Sequence, residues 1–524
     1  MLMTIPVLLK KTGPILSSKL CDLMCAEGAL TRETARQHIS RAVKAKAVHC
    51  LKEMFPRREL FLYLPAQFGS SQYWSSLTES LQATRSAYGY ALGALSARGG
   101  VVPVRHFPAA SGAPKHMSKR LSYDAVREGL LKQGLVKIAT MPGCGECVAL
   151  REKYEESFVA IRGEVRARLI TESVLIKHVA QWIKNLGIGS YDKVRIRDSE
   201  ESTPEVTGFQ FDISSPSYLS PILTLKKTGE TMPGFVACDV LLNGKLELMH
   251  VSPFINKCRS INSLSKTGRT LFIFVSENYT LEAFQALKSE GIIPATVDNL
   301  FGQDTADALL MLKDLLRWIT MSEDVVNDID NIMTRLSKIE GVLPQLQGDL
   351  FEYLVAQSQR DLGNVELGEV CKDDNSKSAD CDVLVKRGKR RVTFIECKGY
   401  KPYSEVLHKD VIHWMHDQVP VFYKHAIREF PGLPVKMEFW TTGKLSMESK
   451  QVLDKFIQNN QIRKRYEVEV CEADKVLEIF RETRDESLIR VFERHFLDPM
   501  KKKEYRHSRP RKLATGLSTD NESF

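Results

Sequence analysis

Through most of the first 160 residues, apolar positions recur at helical spacing, broken by short runs that suit strands. Leu16 to Ala26 is one helical stretch, stopped by Gly28, and Thr31 then stands where an N-cap belongs, ahead of Arg32 to Arg41. On that second helix Ala35 and Ile39 share the inner side, which leaves Arg32, Arg36, Gln37 and Arg41 outside. Arg57 and Arg58 lead into the strand-like Leu60 to Tyr63. A similar plan follows: a helix from Tyr73 to Leu95, a loop through Gly99-Gly100 and 106–114, Ser122 as cap of Tyr123 to Gly134, then strands from Leu135 and from Cys147. From about residue 161 strands and helices alternate up to 302, and helical spacing resumes over 303–341. A helix carrying Glu352 then precedes two apolar runs, Asp382 to Val385 and Val392 to Ile395, on either side of the basic Lys386-Arg387-Gly388-Lys389-Arg390. That last pattern predicts a β-hairpin with its charge at one end.

Alternation along the second run puts Glu396 and Lys398 on one face and Cys397 on the other, and pairing across the turn brings Asp382 level with them. Two carboxylates and an ammonium at the end of a buried strand suit a hard divalent cation, which keeps its other positions for water and phosphate. The order of helix with Glu352, strand with Asp382, strand with Glu396-Cys397-Lys398, then helix resembles the PD-(D/E)XK nuclease superfamily, the restriction-endonuclease-like fold. The resemblance covers about the last third of the chain, as residues 342–498. It implies Mg2+ (or Mn2+) held by Asp382, Glu396 and the backbone carbonyl of Cys397, with Glu352 completing a second site or orienting water. Lys398 is then the group that meets the nucleophile and the scissile phosphate. No other cofactor is expected.

The hairpin has an internal echo. Cys238-Asp239-Val240-Leu241-Leu242, Gly244-Lys245 and Leu246 to Ser252 follow the same sequence plan, with His250 and Ser252 where the later copy has Glu396 and Lys398. The same offset sets Ile176 against Glu352, so residues 161–302 read as a degenerate nuclease-like domain with its metal site dismantled. The two N-terminal segments, 1–70 and 71–160, each resemble a winged helix. The fold expected is therefore multi-domain: two winged helix-turn-helix modules followed by two α/β restriction-endonuclease-like domains, the first degenerate, joined by the helical connector 303–341. Residues 499–524 are expected to be a disordered basic tail.

Charge adds direction to this plan. The chain of 524 residues carries a net charge of +9, yet residues 1–150 hold 20 Lys and Arg against nine Asp and Glu, so the excess belongs to the N-terminal part. Arg32, Arg36, Gln37, Arg41, Arg57, Arg58, Lys119 and Arg120 are the candidate DNA-binding residues. On the helix after the hairpin, Lys409 and His413 are candidates for phosphate contact, whereas Gln418 and Tyr423 lack the Gln-x-x-x-Tyr spacing of the RecB-like branch. Cys144-Gly145-Glu146-Cys147 has ligand spacing but no partner pair, and reads as a turn. The eleven cysteines fall mostly in apolar runs, no stretch has the length of a membrane span, and a cytoplasmic location is expected. The function expected is Mg2+-dependent hydrolysis of DNA phosphodiester bonds, in restriction or defence against foreign DNA. RNA as substrate, or a DNA-binding regulator on a nuclease scaffold, are the competing readings. A homodimer, or a partner protein held through the degenerate domain, is compatible with either.

Overall fold

A computed structural model of the chain describes residues 4–28, 30–141, 144–198, 203–225, 231–264, 268–317, 325–337, 343–374, 377–402, 404–463 and 465–497. The basic tail 499–524 lies outside the described residues. Two compact units divide the chain, one of Met1–Thr320 with Thr334–Val342, the other of Met321–Met333 with Leu343–Phe524. Both mix helices with sheets, and among the described residues no helix is long and apolar enough to cross a membrane.

The first unit begins with helix Ile5–Thr12, strand Ile15–Leu16, helices Ser17–Gly28 and Arg32–Lys44, then strands His49–Leu51 and Phe61–Tyr63. The strand from residue 61 lies between the other two. Thr31 Oγ1 accepts from the Thr34 N–H and starts the third helix, whose Ala35 and Ile39 are buried against Leu20, Met24 and Leu62. The same order returns as Ala87–Ser96, Val101–Pro103, Phe107–Ser111, Tyr123–Lys132, Val136–Met141 and Gly145–Leu150, again with the last strand central. One apolar core, including Phe61, Tyr73, Leu92, Val126 and Leu150, runs through both modules.

Local details differ from the sequence reading. The helix expected from Tyr73 to Leu95 is two, Ser71–Ala83 and Ala87–Ser96, because Arg85 turns left-handed (φ +51°) and the buried Ser86 hydroxyl donates to the Met54 carbonyl at 2.6 Å. Arg57 and Arg58 sit in a turn ahead of the strand, both at positive φ and exposed. Cys144 stands directly ahead of strand Gly145–Leu150 and Cys147 on it, with their thiols in a small core beside Val101, Met141 and Val165, where burial pushes the Cys147 thiol up to about 12. Among the described residues no cluster of metal-ligating side chains was found.

Helix Arg151–Asn185 runs straight through the boundary expected at residue 160 and leads into a five-stranded sheet. Its strands lie in the order Arg195–Ile196, Ile213–Ser217, Gly234–Leu246, Thr270–Tyr279, Ile293–Thr296, the first two neighbour pairs antiparallel and the last two parallel. The hairpin expected within 238–252 does not form. Gly234–Leu246 is a single strand, and His250 and Ser252 lie on the helix Leu248–Asn262 behind it. Gly244, at φ +68°, makes a bulge instead of a turn: strand Thr270–Tyr279 pairs on both sides of it, and Glu277 Oε2 takes its N–H at 2.8 Å.

On the long helix, His178 stacks on Phe301 with ring centroids 3.8 Å apart, and among the described residues its Nδ1 has no partner. Burial holds its pKa down at about 4. An imidazole that is neutral in the fold contributes stability fully above its ordinary pKa near 6.5 and loses it as pH falls toward 4, because the unfolded chain binds the extra proton. Allowing for partial exposure, about 1 to 2 kcal/mol of the first unit's stability should disappear over that interval. The measurement is the urea midpoint from pH 7 to 4 for wild type and His178→Gln, with the variant expected to flatten the difference.

The second unit runs α1 (Leu343–Gln359), β1 (Asn364–Lys372), β2 (Ser378–Lys386), β3 (Val392–Lys398), α2 (His408–His413), α3 (Val419–Glu429), β4 (Val435–Thr441), α4 (Met447–Arg463), β5 (Glu467–Cys471), α5 (Ala473–Glu482) and α6 (Glu486–His495). The sheet order is β1-β2-β3-β4-β5, antiparallel through β3 and parallel from β3 to β5. This order and sense match the five strands of the first unit. One face carries Leu384, Phe394 and Phe439 against Trp414 and Phe422. The helix expected from Val406 to Glu429 runs unbroken from His408 to Glu429, with a π turn, Trp414–Gln418, joining α2 to α3 inside it. Gly399 lets the end of β3 meet α1: a Cβ there would stand 2.1 Å from the Gln347 carbonyl oxygen.

Candidate active site

Strands β2 and β3 pair from Lys386 opposite Val392 to Val383 opposite Ile395, and the next step sets Asp382 opposite Glu396. There the side chain of Asp382 takes over from the ladder: its Oδ2 accepts the Cys397 N–H at 2.7 Å. Among the described residues Oδ1 has no partner. Glu396 is 3% exposed; its Oε1 accepts from Lys398 Nζ at 2.6 Å and its Oε2 from Gln418 Nε2 at 3.0 Å. Glu352 is buried on α1, and the Cys397 thiol is pushed up by burial and then by the charges of Asp382, Glu352 and Glu396. Asp382, Glu396 and Lys398 are therefore brought together, with Cys397 as the backbone link and Glu352 within electrostatic reach of Cys397.

The electrostatics are those of a site short of positive charge. Burial, then the negative Asp382, push the Glu396 carboxyl up to about 8, against the pull of Lys398 and Gln418. Burial opposes the charge on Lys398, but Glu396 and Asp382 outweigh it and hold the ammonium well above its ordinary range. The Lys398 side chain is the more open of the pair, 30% exposed against 3% for Glu396. Gln418 presents a further buried oxygen, Oε1, with no partner among the described residues. Hard oxygen donors, a carboxyl that binds a proton for lack of a better cation, and an orphaned amide oxygen fit a divalent cation of the Mg2+ class.

The first unit repeats this geometry with different residues from those read in the sequence. Ile213 pairs with Cys238, so the next step sets Asp212 opposite Asp239, and Asp212 Oδ2 accepts the Val240 N–H at 2.8 Å. Asp212 thus stands where Asp382 does, and Asp239 stands where Glu396 does, not where Asp382 does. The lysine position is Leu241, buried, but Lys257 from the following helix brings its Nζ to 2.5 Å from Asp239 Oδ2 and donates to the carbonyls of Gln210 and Ala109. Glu172, not Ile176, is the acid on the preceding helix, and its Oε1 accepts the Leu242 N–H at 3.2 Å. Arg197 bridges Glu172 and Asp212, and Arg168 also pairs with Glu172. Although burial pushes the Glu172 carboxyl up, Arg168, Arg197 and Arg98 hold it down at about 2. Burial leaves Asp239 at about 6 in spite of Lys257. Every acid here is met by a cation of the chain, and Lys257 and Glu172 have no exposed surface at all.

The candidate nucleic-acid residues are all on the outside of the first unit. Arg36, Gln37 and Arg41 are exposed along Arg32–Lys44, as is Arg32, whose guanidinium pairs with Asp22 at 2.7 Å. Arg57 and Arg58 are exposed on the turn, and Lys119 and Arg120 on the loop ahead of Tyr123–Lys132. Of the helix residues after the hairpin, His413 pairs with Asp417. It is Gln418, set aside on spacing, that touches the site; the π turn at Trp414–Gln418 is invisible to a 3.6-residue period. Scans of the chain against protein-family models, curated proteins and solved structures return no match.

Proposed function

We propose that the second unit hydrolyses phosphodiester bonds of DNA with the help of Mg2+ or Mn2+, as an endonuclease of the PD-(D/E)XK type. The observation that carries this reading is the meeting of Asp382, Glu396 and Lys398 where the β2–β3 ladder ends. Asp382 and Glu396 would hold the cation, which when bound would supply a Lewis acid for the phosphate and a more acidic water. Gln418 fixes the second oxygen of Glu396, so that the carboxylate offers one defined direction. Lys398 stays protonated, and its ammonium places positive charge where the pentavalent phosphorus gains negative charge. Glu352, buried on α1, orients water or completes a second cation position.

The two N-terminal modules each combine three helices with a three-stranded sheet whose last strand is central, which supports the winged-helix reading, and the first α/β part repeats the strand order of the second unit with its acids paired. We read them as a DNA-recruiting platform and a catalytically silent copy. The test is full-length protein with supercoiled plasmid and Mg2+: nicked or linear product is expected, and none in EDTA. A structured RNA run in parallel separates the RNA reading, and binding to DNA without any cleavage under either cation leaves the regulator.

Recruitment has its own signature. Each phosphate that a side chain ceases to neutralise should lower the slope of log affinity against log salt by about 0.9. Arg36→Ala, Arg41→Ala, Arg57→Ala and Arg58→Ala combined should therefore weaken binding at low salt by at least about tenfold and flatten the slope. A slope equal to that of the wild type would remove these side chains from the interface.

A further inference from the structure

The buried charge cluster of the first unit does not end in balance. Glu172, Asp212 and Asp239 are met in ion pairs by Arg168, Arg197 and Lys257. Arg98 is a fourth cation, 7% exposed and within electrostatic reach of all three acids. Yet among the described residues its partner is a single backbone carbonyl, that of Ala94 at 3.3 Å. A guanidinium has five donors and a fork suited to a carboxylate or phosphate, and among the described residues only one of them has an acceptor.

What lies in front of Arg98 is a cavity of about 330 Å3, walled also by the bulge Asn243-Gly244 and by cations that already have acids, Lys313 with Glu277, Arg317 with Glu164 and Asp314, and Arg168 with Glu172. A second cavity, of about 360 Å3, shares Glu277 and Leu310 with it. Its wall is of another kind: the amides Asn278, Asn299 and Gln303, the hydroxyl of Thr296, and the apolar Leu242 and Leu309. Asn278 and Thr296 belong to the carboxyl ends of two parallel strands, the place where open α/β sheets receive ligands. Each cavity falls at the small end of the range used for small-molecule sites. One compartment holds Arg98 beside cations already in ion pairs, the other is hydrogen-bonding with Asp298 at its wall, and the Glu277 carboxylate stands between them.

We propose that these two cavities bind a nucleoside 5′-monophosphate, its phosphate against Arg98, its ribose at Glu277 and its base among the amides. The phosphate gives Arg98 the ion-pair partner that it lacks among the described residues, while Lys313 and Arg317 keep Glu277 and Glu164 neutralised beside it. Glu277 already holds Lys313 at 2.5 Å and the Gly244 N–H at 2.8 Å, so its carboxylate is fixed in place to accept from ribose hydroxyls. A base then faces side chains that can both donate and accept. Binding here needs nothing of the cleavage chemistry in the second unit.

The experiment is calorimetric titration of the full-length protein in EDTA with AMP, CMP, GMP and UMP, and with inorganic phosphate and adenosine as the two halves. EDTA removes any nucleotide held by a cation at Glu396. At least one nucleotide should saturate one site per chain, at least about tenfold tighter than phosphate or adenosine alone. Arg98→Gln should weaken it at least about tenfold. Should that variant not fold, the partly exposed Arg317→Ala and Asn299→Ala take its place, each expected to weaken binding about threefold or more. No saturation by any of the four nucleotides at millimolar concentration, inorganic phosphate binding as well as the nucleotides, or affinity unchanged in these variants would each overturn the proposal.

Discussion

Asp382→Asn and Lys398→Ala should each lower Mg2+-dependent plasmid cleavage by at least about 10³-fold while leaving the circular dichroism spectrum and urea midpoint close to those of the wild type. Asn keeps the shape and can still accept the Cys397 N–H, which Asp382 Oδ2 takes at 2.7 Å, so the strand end has no cause to rearrange. What it loses is the charge that draws the cation and that, after burial, helps to push the Glu396 carboxyl up to about 8. Removing Lys398 leaves Glu396 with Gln418 alone, a neutral partner, and its carboxyl then stays protonated to still higher pH in the absence of cation. Gln418→Leu should act more weakly, within about tenfold to a hundredfold, because it frees one oxygen of Glu396 without removing a charge. Single-turnover cleavage measures all three; rates within about threefold of wild type for Asp382→Asn would end the nuclease assignment.

The hairpin of the second unit was legible because everything that defines it is local. Alternation placed Glu396 and Lys398 on one face, and a short basic turn fixed which residue opposes which. The first unit misled for an equally physical reason. Cys238-Asp239-Val240-Leu241-Leu242 copies the pattern of Cys381-Asp382-Val383-Leu384-Val385, but its place in the sheet is set by a partner about 30 residues away, strand Thr270–Tyr279, which pairs through Gly244 and turns an expected reversal into a bulge. With the register moved by one strand, the true opposite of Asp239 is Asp212, a residue that no local pattern marks. Lys257 was equally hidden, since its approach to Asp239 depends on how a helix packs over the sheet. The N-terminal modules were easier, their capping Thr31 and inward Ala35 and Ile39 being readable from spacing. The split at Arg85 was not, because it depends on Ser86 reaching Met54 across the fold.

Lys257→Met should cost the first unit about 3 to 5 kcal/mol, the largest stability loss expected from any single change near either acidic cluster. Its ammonium is enclosed by Asp239 Oδ2 and two carbonyls, lies 4.2 Å from the Phe211 ring centroid, and has no exposed surface. Methionine fills the space but leaves the carboxylate of Asp239 beside that of Asp212 with one cation fewer, in surroundings that already hold Asp239 at about 6. The destabilisation is thus that of an uncompensated buried acid, not of a missing touch between two side chains. Pairing the change with Asp239→Asn removes that acid, so Asp239→Asn/Lys257→Met should recover at least about half of the stability, a coupling read from urea midpoints in a double-mutant cycle. The same double variant asks what the cluster is for. If Asp212, Asp239 and Lys257 are a metal site whose cation has been replaced by the chain's own ammonium, plasmid cleavage per folded molecule stays at the wild-type rate. If cleavage instead falls with Asp382 and Lys398 intact, the first unit is a second working centre and not a silent copy.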